Sequence, residues 1–160
     1  MIDFEIPAET KAIRAKVRAF VQDECVAAEE KCTADNFDSV LAELRSKARA
    51  QGLWCPFIPT EHGGMGLKPL ANALVQMELG ESFLGALALN TQGPDDATML
   101  TLLEHGTDFQ KEKYLAPLLD GQKRICYSMT EKAAGADAPG MQTTAVLEGD
   151  NWVLNGEKWY

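Results

Sequence analysis

Apolar residues recur at spacings of three and four through the first two-thirds of the chain, which is the spacing of one face of an amphipathic α-helix. The first stripe follows Pro7, a residue that is favoured in the first turn of a helix. A second predicted helix runs from about Asp38 to Gln51 and stops at Gly52. The apolar positions of these two helices are Ile13, Val17, Phe20, Val21, Cys25, Val40, Leu41, Leu44 and Ala48.

Four more helical patterns follow a loop, residues 52–67, that is rich in proline and glycine. The last of the four begins at Thr107, where Gln110 three residues later completes a capping-box pattern. The other three are an apolar helix opened by Pro69 and carrying Leu70, Ala73, Leu74 and Met77, a short helix around Phe83–Leu89, and a helix from Asp95 that ends at Gly106.

The apolar period changes to two residues after the segment DGQK at 120–123, which predicts strands at 124–129, 142–148, 151–155 and 157–160. Hairpin turns are predicted at 148–151 and at Asn155-Gly156. The fold class is therefore α+β, with an all-α helical domain of about six helices at 1–121 and the first strands of an antiparallel β-domain at 122–160. About 40 residues of strand do not close a barrel or sandwich, so the β-domain is expected to be incomplete. Either helices or another chain cover its open edge, or the chain is a fragment.

Charge and composition exclude several classes of function. The formal net charge of −9 and the scattered basic residues argue against a nucleic-acid partner. The N-terminus does not resemble a secretory signal and no apolar stretch is long enough to span a bilayer, which predicts a cytoplasmic protein. The four cysteines are widely spaced and the two histidines lie near glycines, so no metal site is predicted and free thiols are expected.

The best candidate site is the segment YSMTEKAAGADAPG at 127–140, where a strand-like run opens into a loop of small residues. The backbone of Tyr127–Met129 and the hydroxyl of Thr130 could face the edge of a planar heteroaromatic ligand, and Gly135 with its alanine neighbours would leave room for it. A plain surface turn explains the same pattern. On the residues alone the plain turn is the favoured interpretation.

Three motifs make the chain similar to the acyl-CoA dehydrogenase family, in order and over nearly its whole length. GLWCPFIPTEHGGMGL (52–67) resembles that family's P-x-E-x-G-G-x-G loop. HGTDFQKEKYLAPLLDGQKRICYSMTE (105–131) resembles its G-[ST]-x-x-Q-K-x-x-[YW]-L-P-x-[LM]-x-x-G run. YSMTEKAAGADAPGMQTTAVLEGDNWVLNGEKWY (127–160) resembles the T-E-P-x-A-G-S-D and N-G-x-K-W signature of its middle domain.

The resemblance implies an FAD-dependent enzyme that dehydrogenates an acyl-CoA thioester between the α and β carbons and passes hydride to flavin N5. It also implies electron transfer to an electron-transferring flavoprotein and a homo-oligomeric intact protein. The positions that it assigns to FAD are Tyr127, Met129, Thr130, Gly135 and Tyr160, and those that it assigns near the substrate are Ala136 and Asn90.

The chain departs from the family pattern in two residues. Lys132 stands where the family has the proline of T-E-P, which loosens the turn. Ala136 stands where the family has the serine of G-S-D, which removes a hydroxyl near the substrate.

No catalytic residue is predicted within the chain. The family's catalytic glutamate belongs to a C-terminal helical domain, and Glu131 and Glu157 are interpreted as structural residues. The chain alone is therefore expected to hold FAD weakly or not at all and to be inactive. Two alternatives stay open: a non-catalytic helical interaction module derived from the family, and a relative such as an acyl-CoA or nitroalkane oxidase.

Overall fold

The computed structural model describes residues 5–160, and the chain divides after Ile125 into a helical unit and a smaller second unit. Within residues 5–160 no helix is long and apolar enough to cross a bilayer. Helix α1 continues through a π-helical stretch, as does α6. The helices are α1 (Ala8–Phe20, then Val21–Val26 and Ala27–Glu29), α2 (Phe37–Ala50), α3 (Pro69–Leu79), α4 (Gly85–Ala88), α5 (Asp95–His105) and α6 (Asp108–Gln110, then Lys111–Leu115 and Ala116–Leu119).

The six predicted helices are confirmed, and two apolar clusters hold them together. The larger cluster is formed by Val17, Phe20, Val21, Cys25, Leu44, Ala48, Leu53, Val75, Leu79, Leu84, Ala88 and Leu89. The second gathers Trp54, Cys55, Ile58, Met99, Leu115 and Leu118. Because the stripes predicted for α1 and α2 supply much of the larger cluster, the three-and-four spacing located the core of the helical unit correctly.

Helix α3 packs a different apolar stripe inward from the predicted one. Leu70 and Met77 are 54% and 64% exposed, whereas Ala71, Val75 and Leu79, each one turn apart, are buried together with Glu78. The carboxylate of Glu78 accepts hydrogen bonds from Arg14 Nε at 2.5 Å and from Arg18 Nε at 2.6 Å. The two arginines, both on α1, pair with this acid and make its burial possible. The pairing also holds the Glu78 side of α3 against α1.

The capping box predicted at the start of α6 is present. The Gln110 N–H donates to the Thr107 hydroxyl at 3.3 Å, and the Thr107 N–H donates to the side-chain oxygen of Gln110 at 2.9 Å. Two N–H groups that have no partner within the helix are satisfied in this way. The boundary between α5 and α6 was therefore readable from two residues.

The second unit contains one antiparallel hairpin, β1 (Thr144–Glu148) and β2 (Asn151–Asn155). Val146 pairs with Val153, and the turn at 149–150 is closed by Gly149 with φ of +60°. Side chains on both faces of the hairpin are exposed. The predicted strands at 142–148 and 151–155 and the turn between them are thus confirmed, with β1 starting two residues later than predicted.

The predictions of strands at 124–129 and 157–160 are wrong for the described chain, as is the hairpin at Asn155-Gly156. A strand needs a neighbouring backbone, and these segments bond differently. The backbone groups of Tyr127 and Met129 bond to the hydroxyl of Tyr160, and a single backbone bond joins the Trp159 N–H to the Thr130 carbonyl at 3.1 Å. Hydrogen bonds to a side chain therefore take the place of most of the backbone hydrogen bonds between strands that the alternating pattern predicted.

Candidate functional site

The backbone of the segment 127–130, exposed at its first three residues, is braced by the phenol of one tyrosine. The Tyr160 hydroxyl donates to the carbonyl of Tyr127 at 2.9 Å and accepts from the N–H of Met129 at 2.8 Å. The structure thus brings together Tyr127, Met129 and Tyr160, three of the positions predicted to face a cofactor. A tyrosine hydroxyl can donate and accept at once, so it fixes both backbone groups of this short run.

Thr130 keeps its donors free at the end of this segment. Its carbonyl accepts from Trp159. Within residues 5–160 neither its N–H nor its hydroxyl has a hydrogen-bond partner. The residue is half-buried, so these two groups are still open to an approaching acceptor.

The small-residue turn that follows leaves open space. Glu131 and Ala134 exchange backbone hydrogen bonds at 3.3 and 3.1 Å, which close the turn. Gly135 and Ala136 are exposed, and a Cβ added at Gly135 would meet no atom within 4 Å. The packing of the chain itself therefore gives no reason for glycine at this position, and the space beside it is available to a ligand.

The carboxylate of Glu131 is the anchor of the second unit. The side chain is 7% exposed and accepts from the N–H groups of Gln142 at 2.7 Å and Thr143 at 3.0 Å. The ammonium of Lys158 donates to the same carboxylate at 2.9 Å and to the carbonyl of Met129, also at 2.9 Å. Glu131 thereby ties residues 142–143 and Lys158 to the candidate site.

These contacts keep Glu131 ionised. Thr143, whose side chain lies beside the carboxylate, has the largest effect, followed by the Gln142 N–H and Lys158, and together they lower the pKa of Glu131 to about 2. A carboxylate with so low a pKa and so many donors is a weak proton acceptor. The geometry therefore gives Glu131 a positioning role.

Asn90, the remaining predicted site residue, lies in the helical unit. It has a φ of +55° and is 2% exposed. Its amide nitrogen donates to the Leu118 carbonyl at 2.9 Å and to Cys55 Sγ at 3.3 Å. These contacts join the loop before α5 to the end of α6, and a contact between Asn90 and a substrate stays a prediction.

Comparison with known proteins decides the family. Residues 7–122 match the model of the N-terminal domain of acyl-CoA dehydrogenases. The chain belongs to the acyl-CoA dehydrogenase family. A short-chain-specific acyl-CoA dehydrogenase of Clostridium acetobutylicum is 34% identical over 159 residues, which cover 98% of this chain and 41% of the relative.

Solved structures of the family share the fold. A Mycobacterium abscessus protein classed as an acyl-CoA dehydrogenase superposes with a TM-score of 0.87 at 34% identity, over 98% of this chain and 42% of that one. The acyl-CoA dehydrogenase of Bacillus anthracis complexed with FAD superposes with a TM-score of 0.70 at 30% identity, over 99% of this chain and 27% of that one. The chain thus spans less than half the length of each of these relatives.

Sequence reasoning missed the pair of Glu131 and Lys158 in this acyl-CoA dehydrogenase family chain. Both residues stand inside the motifs that carry the resemblance, Glu131 after Thr130 and Lys158 before Trp159. An acid and a base in two separate motifs of one small unit could have indicated an ion pair between them. Their distance of 27 residues along the chain hides the contact from any analysis of local spacing.

The thiols of the chain should differ sharply in reactivity. Burial raises the pKa of Cys25 to about 12 and that of Cys55 to about 11, whereas Cys126 is exposed. Because the thiolate is the nucleophile, iodoacetamide at neutral pH should label Cys126 at least about 100-fold faster than Cys25 or Cys55. Peptide mass spectrometry over time measures the three rates. In concentrated guanidinium chloride the rates should converge, and rapid labelling of Cys55 in the folded protein would contradict the prediction.

Proposed function

We propose that this chain supplies one wall of an FAD site for the dehydrogenation of an acyl-CoA thioester. Residues 127–130 would lie along the edge of the flavin ring, Gly135 and Ala136 would lie beside the thioester, and Tyr160 would hold the wall straight. The single observation that carries the proposal is the pair of donors on Thr130 that have no partner within residues 5–160, next to a backbone that Tyr160 and Trp159 hold by hydrogen bonds. The family relationship supplies the identity of the ligand.

The residues present fit a flat ring with polar edges. Such a ring needs donors in its own plane and a neighbouring surface without bulky side chains. Thr130 offers an N–H and a hydroxyl, and the space beside Gly135 is open. A ligand there would therefore satisfy donors that the chain leaves unpaired, at no cost in displaced side chains.

Bound FAD would accept hydride from the β carbon of the acyl group. The donors of Thr130 would stabilise the negative charge that the ring acquires on reduction, since fixed dipoles need no reorganisation at that moment. Glu131 would not remove the α-proton, because its carboxylate is occupied by Gln142, Thr143 and Lys158. We therefore give Glu131 no part in proton transfer, in line with the expectation from the family resemblance that the catalytic base belongs to another domain.

The remaining parts of the proposal follow from the family. Residues 1–121 would act as its helical N-terminal domain and 122–160 as the start of its β-domain. The electron acceptor would be an electron-transferring flavoprotein, and the intact protein would be a homo-oligomer. An acyl-CoA oxidase or a nitroalkane oxidase would use the same flavin wall and would differ in what reoxidises the ring.

Titration with FAD tests the proposed flavin wall, formed by residues 127–130, Gly135, Ala136 and Tyr160, directly. In ¹⁵N-labelled protein, FAD should shift the amide signals of Ser128, Thr130 and Gly135 in a saturable way. Thr130→Val, which removes the hydroxyl, should weaken this binding about fivefold, the effect of one hydrogen bond. Thr144→Val, on exposed strand β1, is the matched control and should bind like the unmodified chain. Saturable shifts confined to amides outside residues 127–136, or equal binding by Thr130→Val and Thr144→Val, would reject the proposal.

A non-catalytic interaction module is the second candidate, and one observation favours it. The hairpin exposes apolar side chains on both faces: Leu147, Trp152 and Leu154 on one, and Val146 and Val153 on the other. Sedimentation distinguishes the two candidates: a stable flavin-free dimer that dissociates on Trp152→Ala would support the module. A monomer that binds FAD through Thr130 would support the flavin wall.

A further inference from the structure

A cavity of about 660 Å³ lies in the helical unit, between the start of α1, the start of α3 and the glycine-rich loop 63–66. We name it the α1–α3 cavity. Its volume falls in the range of small-molecule sites in proteins. The residues that matter for its chemistry are Glu9, Thr10, Arg49, Leu67 and Lys68.

Two helices begin at this cavity, and within residues 5–160 no side-chain hydrogen bond caps either start. Pro7 precedes α1 and Lys68 precedes α3. The first-turn N–H groups of a helix have no acceptor inside the helix, so Ala8–Thr10 of α1 and the residues after Pro69 in α3 present such groups, together with the positive end of each helix dipole. Convergence of two such ends on one cavity favours a negatively charged ligand.

The side chain of Thr10 is a second, independent sign of a ligand. It is 6% exposed, lines the cavity, and forms no hydrogen bond within residues 5–160. Thr10 as a whole is nine-tenths buried, and a polar side chain on so buried a residue normally has a partner. Because the residue lines the cavity, a ligand there would supply the missing partner.

Charged side chains at the rim set the sign of the electrostatic potential in the cavity. Arg49 lies with its guanidinium 3.6 Å from the ring centre of Trp54 and donates to the Asp120 carbonyl at 2.9 Å. Lys68 is exposed at the start of α3. Among the lining residues that the structure describes, Glu9, also exposed, is the one carboxylate, and it opposes an anion. Two cations and two helix starts against one acid leave a net attraction for negative charge.

The rest of the lining is apolar, and the loop that carries part of it is tightly packed. Ile13, Met65 and Leu67 are half-buried side chains of the wall. The loop beneath them closes on itself, and a Cβ at Gly64 would stand 2.1 Å from the Ile58 carbonyl oxygen, so only glycine fits there. A rigid apolar wall beside a positive end matches a ligand that has both an anionic head and a hydrocarbon body.

We propose that the α1–α3 cavity binds an organic anion, a carboxylate or a phosphate ester carried on an apolar body. The head would accept from the Thr10 hydroxyl and from the free N–H groups at the two helix starts, and Lys68 would add its charge. The apolar body would lie against Ile13 and Leu67. This site goes beyond the flavin wall and stands without it, since every residue that carries it belongs to the helical unit.

Titration of the ¹⁵N-labelled chain with octanoate, octyl phosphate and inorganic phosphate tests the site without any flavin. Octanoate or octyl phosphate should shift the amide signals of Thr10, Leu70 and Ala71 in a saturable way. The tighter of the two identifies the head group as carboxylate or phosphate. Inorganic phosphate, which lacks the apolar body, should bind at least about tenfold more weakly, the loss expected from a few buried methylenes.

Three variants should change the affinity for the ligand in opposite directions: two should weaken binding and one should tighten it. Thr10→Val should weaken binding about tenfold through loss of a charge-assisted hydrogen bond. Lys68→Gln should weaken it about threefold, and Glu9→Gln should tighten it about threefold, because each changes one charge near a helix start. Lys31→Gln, an exposed lysine outside the cavity, is the control and should have no effect.

The sign of the Glu9→Gln effect keeps the test decisive even if Thr10→Val perturbs folding. Tighter binding by Glu9→Gln together with weaker binding by Lys68→Gln supports the site. No saturable shift with either octyl compound would overturn it, and so would equal affinity of inorganic phosphate and octyl phosphate. Shifts confined to amides far from α1 and α3 would overturn it as well.

Discussion

Replacing Glu78 with glutamine is expected to lower the free energy of unfolding of the helical unit by about 2–3 kcal/mol. Three hydrogen bonds from arginines end on this carboxylate, which is 2% exposed. Glutamine keeps one acceptor oxygen but removes the charge that holds Arg14 and Arg18 against α3. Because both arginines can reach solvent, they are not left buried and unpaired, so the loss stays below that of a fully buried pair.

Urea unfolding followed by helical circular dichroism measures this loss. Glu104→Gln, which removes an exposed carboxylate from α5, is the matched control and should change stability by less than about 0.5 kcal/mol. A Glu78→Gln variant as stable as this control would show that the ion pairs contribute nothing to the packing of α1 on α3.

The same carboxylate predicts a dependence on pH. Hydrogen bonds from Arg18, the larger effect, and Arg14 lower the pKa of Glu78 below its ordinary value of 4.5. A folded pKa below the unfolded one means that the contribution is complete above about pH 4.5 and disappears as pH falls through the folded pKa. The difference in stability between the unmodified protein and Glu78→Gln should therefore shrink as pH falls below 4.5. A difference that grows on acidification would contradict the geometry.

The helices could be predicted because their information is local. Val17, Phe20 and Val21 in α1, and Leu41, Leu44 and Ala48 in α2, lie one helical turn apart and are all buried. The inward face of α3 was not predicted, because this helix carries two apolar stripes. One contains Leu70, Ala73 and Met77, and the buried one contains Ala71, Val75 and Leu79. Glu78 lies on the buried side and pairs with Arg14 and Arg18 of another helix. No local pattern shows that this acid has partners 60 or more residues away.

The small-residue turn of the candidate site could be predicted from the sequence, whereas its hydrogen bonds could not. The small loop at 133–136 and the motif resemblance indicated a ligand beside Thr130, which stays a prediction. The strands expected on either side were inferred from period-two alternation, which reports side-chain polarity and says nothing about hydrogen bonds. In the structure the side chains of Tyr160 and Glu131 accept hydrogen bonds from backbone N–H groups instead. These contacts join residues that are 31 and 11 positions apart in the sequence, which is too far for a local pattern to show.

Glutamine at position 131 is expected to remove the order of the segment 126–143. The carboxylate of Glu131 accepts from three donors at once, and two of them are backbone N–H groups on the far side of the small-residue turn. A neutral amide offers one acceptor oxygen instead of two and no charge for Lys158. Hydrogen exchange at the amides of Gln142 and Thr143 should then approach the rate of an unprotected chain, whereas Glu157→Gln, an exposed acid in the same unit, should leave their protection unchanged.

Acidification should reproduce this loss in the unmodified protein. The pKa of Glu131 is about 2, which lies below its ordinary value of 4.5, so its contribution to order is complete above about pH 4.5 and is lost as pH falls towards 2. Protection of Gln142 and Thr143 should fall over that window in the unmodified chain and in Glu157→Gln, and should already be absent in Glu131→Gln. Protection that survives below pH 2 would mean that the neutral acid holds the turn as well as the carboxylate does. The flavin wall would then owe its shape to the Tyr160 phenol instead of to Glu131.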